Sequence, residues 1–258
     1  MGGGKPSPSG EYFLRMSKAK NFIKNLLYPG LDLHCWSRAQ LCRFWQKGPR
    51  RVLDAGSGNG FFSWLAYRSG AEVVGLNFEE SQVRRTREFL QNVKGVDPAR
   101  LQLHQMNLYD LDGRFGTFDE IICYETIEHI RDDAKVCRAL FHALKPGGVL
   151  HLCTPHTLHP RHQREVLDTE EKGGHVRPGY TEESYRKLLE PIGFRIEAVV
   201  GLGQPRLVRA DAFLRKIRNR FGDALALPFF PLAAFGLWGD QLNPKIPFSL
   251  YVKAVRPQ

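Results

Sequence analysis

The chain has 258 residues, 42% of them hydrophobic and 25% charged, a composition that excludes disordered, collagen-like and coiled-coil classes. One α/β domain with extra helices accommodates this length, and such a chain buries roughly 70–75% of its unfolded surface, so neither disulfides nor a structural metal is needed to hold it together. The net charge of +10 admits anionic lipid, nucleic acid or a phosphorylated substrate as a partner without choosing among them.

In chain order, residues 1–10 read as a polar, glycine-rich leader with no apolar stretch of signal-peptide type, expected to be disordered. Residues 11–50 carry a helical, basic pattern: Phe13, Phe22, Ile23, Leu26 and Leu27, a Pro29-Gly30 break, then Leu33, Trp36, Leu41, Phe44 and Trp45. They read as a helical cap on a core domain, whose nine Lys or Arg in the first 50 residues could equally be a solvated face. The period then changes. Strands are expected at Arg51 to Asp54, Glu72 to Leu76, Leu101 to Met106, Phe118 to Cys123 and Val149 to Thr154, and helices at Phe61 to Ser69, Ser81 to Lys94 and Asp132 to Leu144. Lys145-Pro146-Gly147-Gly148 is expected to close the last of these helices with a glycine cap.

This alternation predicts a Rossmann-like α/β domain over residues 51–258: a seven-stranded, mostly parallel sheet with helices on both faces and an antiparallel final strand. Its ligand site should lie at the carboxyl ends of the strands, after Leu53, Leu76, Met106 and Cys123. From Thr154 to Tyr180 the chain is polar and loop-like, rich in histidine, and reads as a substrate loop. Thr181 is a candidate N-cap for the next helix, Arg195 to Val200 a sixth strand and Phe248 to Val255 a seventh. Between these two lies an insertion, about residues 204–247. Its first half is basic, and its second, Ala224 to Gly239, is uncharged and apolar but shorter than the ~20 residues of a bilayer span. It can cap a substrate pocket, lie on a membrane surface or pack against another copy of the chain. The five cysteines are odd in number and form no CxxC pair, which points away from a disulfide framework and toward a cytoplasmic setting.

The strongest motif is Val52-Leu53-Asp54-Ala55-Gly56-Ser57-Gly58-Asn59-Gly60, a strand-to-helix turn whose small residues let a ligand reach backbone N–H groups. Its GxGxG spacing lacks the third glycine of the dinucleotide fingerprint, which disfavours a nicotinamide-dependent oxidoreductase. Further along come Val73-Val74-Gly75-Leu76-Asn77, Met106-Asn107-Leu108, Phe118-Asp119-Glu120-Ile121-Ile122, Glu125-Thr126-Ile127-Glu128-His129-Ile130 and Leu144-Lys145-Pro146-Gly147-Gly148. With these six motifs in this order, the chain resembles the class I S-adenosylmethionine-dependent methyltransferases over about Arg51 to Val200.

The resemblance implies S-adenosylmethionine as cofactor. Asp54 and the backbone of Gly56, Ser57, Gly58 and Gly60 would hold its methionine end, and Asn77 its ribose, where the family usually has Asp or Glu. Gln82 would supply a second ribose contact or be an exposed helix amide. Asn107 and the Leu108 backbone would meet the adenine, with Asn again replacing the usual Asp, and Phe78 would lie against the ring or in the core. Glu125 to Ile130 follows the fourth strand, where the activated methyl group should point. His129, paired with Glu128, is the candidate general base, with an ordinary pKa near ~6.5. Were this stretch helical, Glu125, Glu128 and His129 would share one face. With the later His175 they resemble the metal sites of small-RNA 2′-O-methyltransferases and ubiquinone-pathway O-methyltransferases. The pattern is also common without a metal, and none is assigned.

The reaction expected is O-methylation of a small-molecule, lipid-linked or glycan-linked metabolite, with peripheral membrane contact through the insertion. The alternatives are an RNA 2′-O-methyltransferase, a C- or N-methyltransferase of a small molecule, and a non-catalytic cofactor-binding protein. Nucleic acid is disfavoured as a partner, since no basic stretch is interleaved with stacking aromatics.

Overall fold

The computed structural model describes residues 25–237 and 242–258. The leader 1–10, the helical pattern up to Lys24, and Trp238 and Gly239 of the apolar run lie outside the described residues. Seven strands form one sheet: β1 (Arg51–Ala55), β2 (Glu72–Asn77), β3 (Leu101–Gln105), β4 (Phe118–Tyr124), β5 (Leu144–Pro155), β6 (Arg195–Leu202) and β7 (Ser249–Val255). Their order is β3-β2-β1-β4-β5-β7-β6. The first five run parallel, and β7 is antiparallel to both β5 and β6. The Rossmann-like sheet expected from the alternating periods is therefore present, with its reversed last strand.

Side-chain alternation along the strands divides the interior. Leu53, Ala55, Ile121 and Cys123 face one core, which is covered by α4 (Asp133–Ala143) and α5 (Glu182–Leu189). Val52, Ile122 and Tyr124 face another, covered by α2 (Phe61–Arg68), α3 (Glu80–Asn92) and the segment around Leu41 and Trp45, which lies beyond α1 (Leu33–Arg38). A third, smaller cluster joins Leu33 of α1 to Leu207 and Leu214 of α6 (Pro205–Phe221), Ala226 of α7 (Asp223–Ala226) and Ala233 of α8 (Phe230–Ala234). Residues near the start of the described chain and the late insertion thus meet over the carboxyl end of the sheet.

Local signals act largely as their chemistry dictates. Thr181 and Ser184 close a reciprocal capping box at the start of α5, and Asp132 accepts the Lys135 N–H at the start of α4. The expected glycine cap at 145–148 is not formed. Helix α4 ends at Ala143 and Leu144 is already extended, so the Pro146-Gly147-Gly148 stretch lies within β5. There Gly147 takes φ +76° and Gly148 passes so close to the chain that a Cβ would sit 2.8 Å from the Lys145 carbonyl oxygen. These glycines serve a kink that accompanies the shift in β4–β5 register between Phe118 and Glu120.

Candidate active site

The turn after β1 is drawn tight. Gly56, Gly58 and Gly60 all adopt positive φ, where glycine alone is unstrained. The Gly56 and Ser57 N–H groups donate to the Leu76 carbonyl at 3.0 and 2.8 Å. Carbonyls of the turn are tied from outside: Gln82 Nε2 and Thr86 Oγ1 donate to Gly58 O at 3.2 and 3.3 Å, and Tyr28 Oη donates to Asn59 O at 2.9 Å. Among the described residues the N–H groups of Gly58 and Asn59 have no hydrogen-bond partner. A Cβ on Gly56 would strike Thr126 Oγ1 at 2.1 Å, whereas one on Gly58 would meet nothing nearer than 3.9 Å and would project into open space. Free N–H groups beside such a gap suit a ligand bearing an anionic or strongly polar end.

That gap belongs to a cavity of about 340 Å³ lined by Gly56 and Gly58, by Asn77 and Phe78 after β2, by Asn107, Leu108 and Tyr109 after β3, and by Glu125, Thr126 and His129 after β4. The volume lies within the ~300–1,000 Å³ of small-molecule sites. Asn77 Oδ1 accepts the Glu79 N–H at 2.8 Å and Asn107 Oδ1 accepts the Tyr109 N–H at 3.0 Å. Each amide therefore caps its own turn with oxygen and keeps its NH2 for a ligand. Phe78 is 67% exposed at the rim, so it is not a core aromatic and is free to cover a flat ring. Positive N–H groups at one end and hydrogen-bonding amides with an aromatic at the other fit a nucleoside with an amino-acid tail.

Four of the residues singled out from the sequence stand behind this lining. Gln82 props the Gly58 carbonyl and also accepts from Arg85. Gly60 is pressed against Thr86 and Leu90, and Ser57 is buried beneath the turn. The Asp54 carboxylate is only 3% exposed, accepts the Ser63 hydroxyl at 2.5 Å, and is pushed up by burial to about 6.

After β4 the chain does not form a helix. Glu125 takes a left-handed φ of +49°, a conformation that costs a non-glycine residue about 1–3 kcal/mol, and residues Ile127–His129 make a single 3-10 turn. Glu125, Glu128 and His129 therefore do not share a helical face. Glu125 turns instead to Arg38 of α1, with Oε2 3.2 Å from Nη1, while its Oε1 is buried without a partner. Burial raises the Glu125 carboxyl above its usual range, partly offset by Arg38. Glu128 is fully buried with neither oxygen hydrogen-bonded, its Oε1 standing 4.0 Å from His129 Nε2. Burial and then the nearby Glu125 push its carboxyl well up. His129 is half-buried, and its Nδ1 lies 2.9 Å from the Gly174 carbonyl. Since a carbonyl only accepts, Nδ1 carries the proton and Nε2 presents a lone pair. Burial lowers the imidazole pKa, so the ring is neutral at pH 7. Glu128, His129 and His175 offer donor atoms that all lie within 4.8 Å of one another.

Beyond Glu125 lies a second cavity, of about 360 Å³. Asp32, His34 and Arg38 line it from α1, Arg161, His162, Glu165 and His175 from the loop after β5, Arg215 from α6, and Phe248 from the edge of β7. Glu125 is in the wall of both cavities. Burial pushes His34 down to about 3, and it stacks neutral on Phe248 with ring centroids 3.8 Å apart. Arg38, Arg161 and Arg215 escaped the sequence reading because their partners are distant in sequence. The one available signal was a basic residue within an otherwise apolar helical pattern at Arg38.

A family profile described as a methyltransferase domain matches residues 35–199. The rat mitochondrial ubiquinone biosynthesis O-methyltransferase is 27% identical over 163 residues, which is 59% of this chain and 46% of that protein. The ubiquinone biosynthesis O-methyltransferase of Pseudomonas aeruginosa strain LESB58 is 34% identical over 106 residues, 41% of this chain and 44% of that protein. The chain thus spans about half the length of these curated relatives. Phosphoethanolamine N-methyltransferase 2 of Haemonchus contortus, solved with S-adenosyl-L-methionine, superposes with a TM-score of 0.61 at 22% identity, covering 95% of this chain and 61% of that one. With a sheet of this order, a glycine turn facing a nucleoside-sized cavity and a domain match over most of its length, the chain belongs to the class I S-adenosylmethionine-dependent methyltransferases and is an enzyme of that family.

Proposed function

We propose that the protein methylates an oxygen of a small, lipid-linked or glycan-linked acceptor, and that His129 removes the acceptor's hydroxyl proton. The observation that carries this reading is the shared wall: Glu125 separates the glycine-turn cavity from a second cavity of similar size, and His129 of the first lies with its ring 4.7 Å from that of His175, which lines the second. S-adenosylmethionine supplies a methyl group on a positively charged sulfur, so the protein has to align the acceptor and take up its proton. In this reading the unpartnered Gly58 and Asn59 N–H groups and the Asn77 and Asn107 amides hold the cofactor, with Asp54, Ser57, Gly60 and Gln82 shaping the turn behind them. Gly174 fixes the His129 tautomer. The relatives named for O-methylation in ubiquinone biosynthesis support oxygen as the acceptor atom.

Phe221, Leu225, Phe229, Leu232 and Phe235 of the insertion are exposed beside the arginines of α6. An exposed apolar group flanked by positive charge suits the interface of an anionic bilayer, where a lipid-linked acceptor would be met. Among the described residues no helix is long and apolar enough to cross a membrane. Methyl-labelled S-adenosylmethionine incubated with a lipid extract tests the reading. Label in an organic-soluble methyl ether is expected, and label confined to RNA or to nitrogen would overturn it.

A second reading rests on Glu128. A fully buried carboxylic acid with no partner beside two imidazoles fits a divalent cation, although donors up to 4.8 Å apart would have to draw in slightly, since two ligands at ~2.1 Å from one ion are at most ~4.2 Å apart. Such an ion would polarise the acceptor hydroxyl. Calorimetric titration with Mn2+ checks it: saturable binding that Glu128→Gln removes favours the ion, and no heat above dilution excludes it.

A further inference from the structure

We infer that the basic groove opening from the second cavity along α6 is a phosphate subsite, taking a phosphate or diphosphate ester carried by the methyl acceptor. The inference rests on the second cavity being the acceptor's, as proposed above. Arg161 and Arg215 line that cavity and also line an adjoining surface groove with Ala212, Lys216, Asn219 and Arg220. Residues 212, 215, 216 and 219 stand at the spacing of one helical face.

The two spaces differ in charge. In the inner cavity Arg38, Arg161 and Arg215 face Asp32, Glu125 and Glu165. The groove is lined by four cationic side chains and no acid. Arg161 lies 5.6 Å over the Phe248 ring, and among the described residues its guanidinium makes no hydrogen bond or ion pair. Arg215 spends one nitrogen on Asp211, at 2.7 Å, and keeps the rest. Lys216 and Arg220 make no ion pair among the described residues. Elsewhere on α6 the basic residues are engaged: Arg218 pairs with Asp223 at 3.0 Å, and Arg209 bonds the Pro205 carbonyl at 3.1 Å.

Arg161 and Arg215 repel each other, and Asp211, Glu165 and Asp32 offset that repulsion from the inner side only; on the groove side an anion would join the two, and the fork of a guanidinium matches two oxygens of a phosphate. The charge gradient orients the acceptor. Its phosphate stays in the groove, and its hydroxyl-bearing end enters the cavity toward Glu125 and His129.

Inorganic pyrophosphate is the probe, titrated calorimetrically at low salt into the full chain saturated with S-adenosylhomocysteine, for the wild type, Arg161→Gln, Arg215→Gln and the equally charged-down control Arg209→Gln. Saturable binding is expected, weakened at least tenfold by either of the first two substitutions and less than twofold by the control. S-adenosylhomocysteine affinity should stay within twofold throughout, which also reports that each variant is folded. Non-saturable binding, or equal weakening in Arg161→Gln and Arg209→Gln, overturns the subsite. So does displacement of pyrophosphate by a short RNA at lower concentration. Vesicles containing phosphatidylglycerol name the source of the phosphate. If Arg161→Gln and Arg209→Gln bind vesicles alike, the groove serves the acceptor; if only Arg161→Gln loses binding and pyrophosphate competes, it holds a bilayer phosphate. Methyl transfer found only to RNA or nitrogen, with the pyrophosphate result intact, would sink the proposed reaction alone.

Discussion

Strand β4 and the turn that follows it carry two acids five residues apart, Glu120 and Glu125, and they live in opposite worlds. Near its beginning Glu120, fully buried, is satisfied from every side: by Arg50 Nε at 2.6 Å, His151 Nε2 at 2.8 Å and the Gln46 N–H at 2.8 Å, with His151 Nδ1 in turn 2.6 Å from Tyr251 Oη. Burial works against its charge, yet these partners hold its carboxyl below the usual range. Just past the strand's end, Glu125 has one bare oxygen and Glu128 two, and both carboxyls are raised. A closed network secures the fold. Buried polar atoms without partners are the ones left for a ligand.

The contrast is broken most directly by swapping the acids. Glu120→Ala strands Arg50 and His151 and should cost about 3–5 kcal/mol of stability, whereas Glu128→Gln replaces a neutral acid by its amide and should change stability by about 1 kcal/mol or less. Urea denaturation of both variants checks this, and comparable losses would show that Glu128 is structural too. At the turn, Gly58→Val should weaken S-adenosylhomocysteine binding at least hundredfold, about 3 kcal/mol, because its side chain fills the cavity from a φ of +50°. His129→Ala should leave that affinity within threefold while turnover falls by at least about 10²-fold; calorimetry and initial rates separate the two.

The pH dependence sharpens the same divide. Asp54, with its carboxyl raised from 3.8 to about 6, binds a proton more tightly folded than unfolded. Its contribution is fully present below about pH 4 and is lost as pH rises through 6. Relative to Asp54→Asn, the wild type should lose about 2 kcal/mol between pH 4 and pH 7. Glu120, held low, behaves oppositely: its contribution is present above its unfolded pKa and vanishes in acid. Equilibrium unfolding of the Asp54 variant between pH 4 and pH 7, and of the Glu120 variant on further acidification below pH 4, tests both signs. The smallest effect belongs to the insertion, where Leu232→Ser and Phe235→Ser should shift stability by less than about 0.5 kcal/mol yet reduce sedimentation with anionic vesicles.

Much of the sheet was legible because its strands are buried on both faces and its helices on one, so periodicity carried the topology. The first cavity was legible for a related reason. Gly56, Gly58, Asn77, Asn107 and Glu125 all lie within a few residues of a strand end, and the order of strands brings those ends together. The second cavity was not. Arg38, Arg161 and Arg215 come from three separate segments, and nothing local distinguishes them from solvated basic residues. The glycine run at 147–148 misled because the same residues suit a helix cap and a strand kink, and only the pairing with β4 decides between them. Glu125, Glu128 and His129 would have shared a face had the stretch been helical, but the left-handed Glu125 turns its carboxylate toward α1.

The second cavity also draws on more of the chain than the first. The turn, the two asparagines and Glu125 all fall inside the matched residues 35–199, as do Arg38, Arg161, His162, Glu165 and His175 of the second cavity, whereas its Asp32 and His34 precede that stretch and its Arg215 and Phe248 follow it. With the second cavity proposed as the acceptor's, its selectivity could diverge in part by exchange of flanking pieces that the first cavity does not use. Chimeras with relatives should be cut at these borders, not through the sheet.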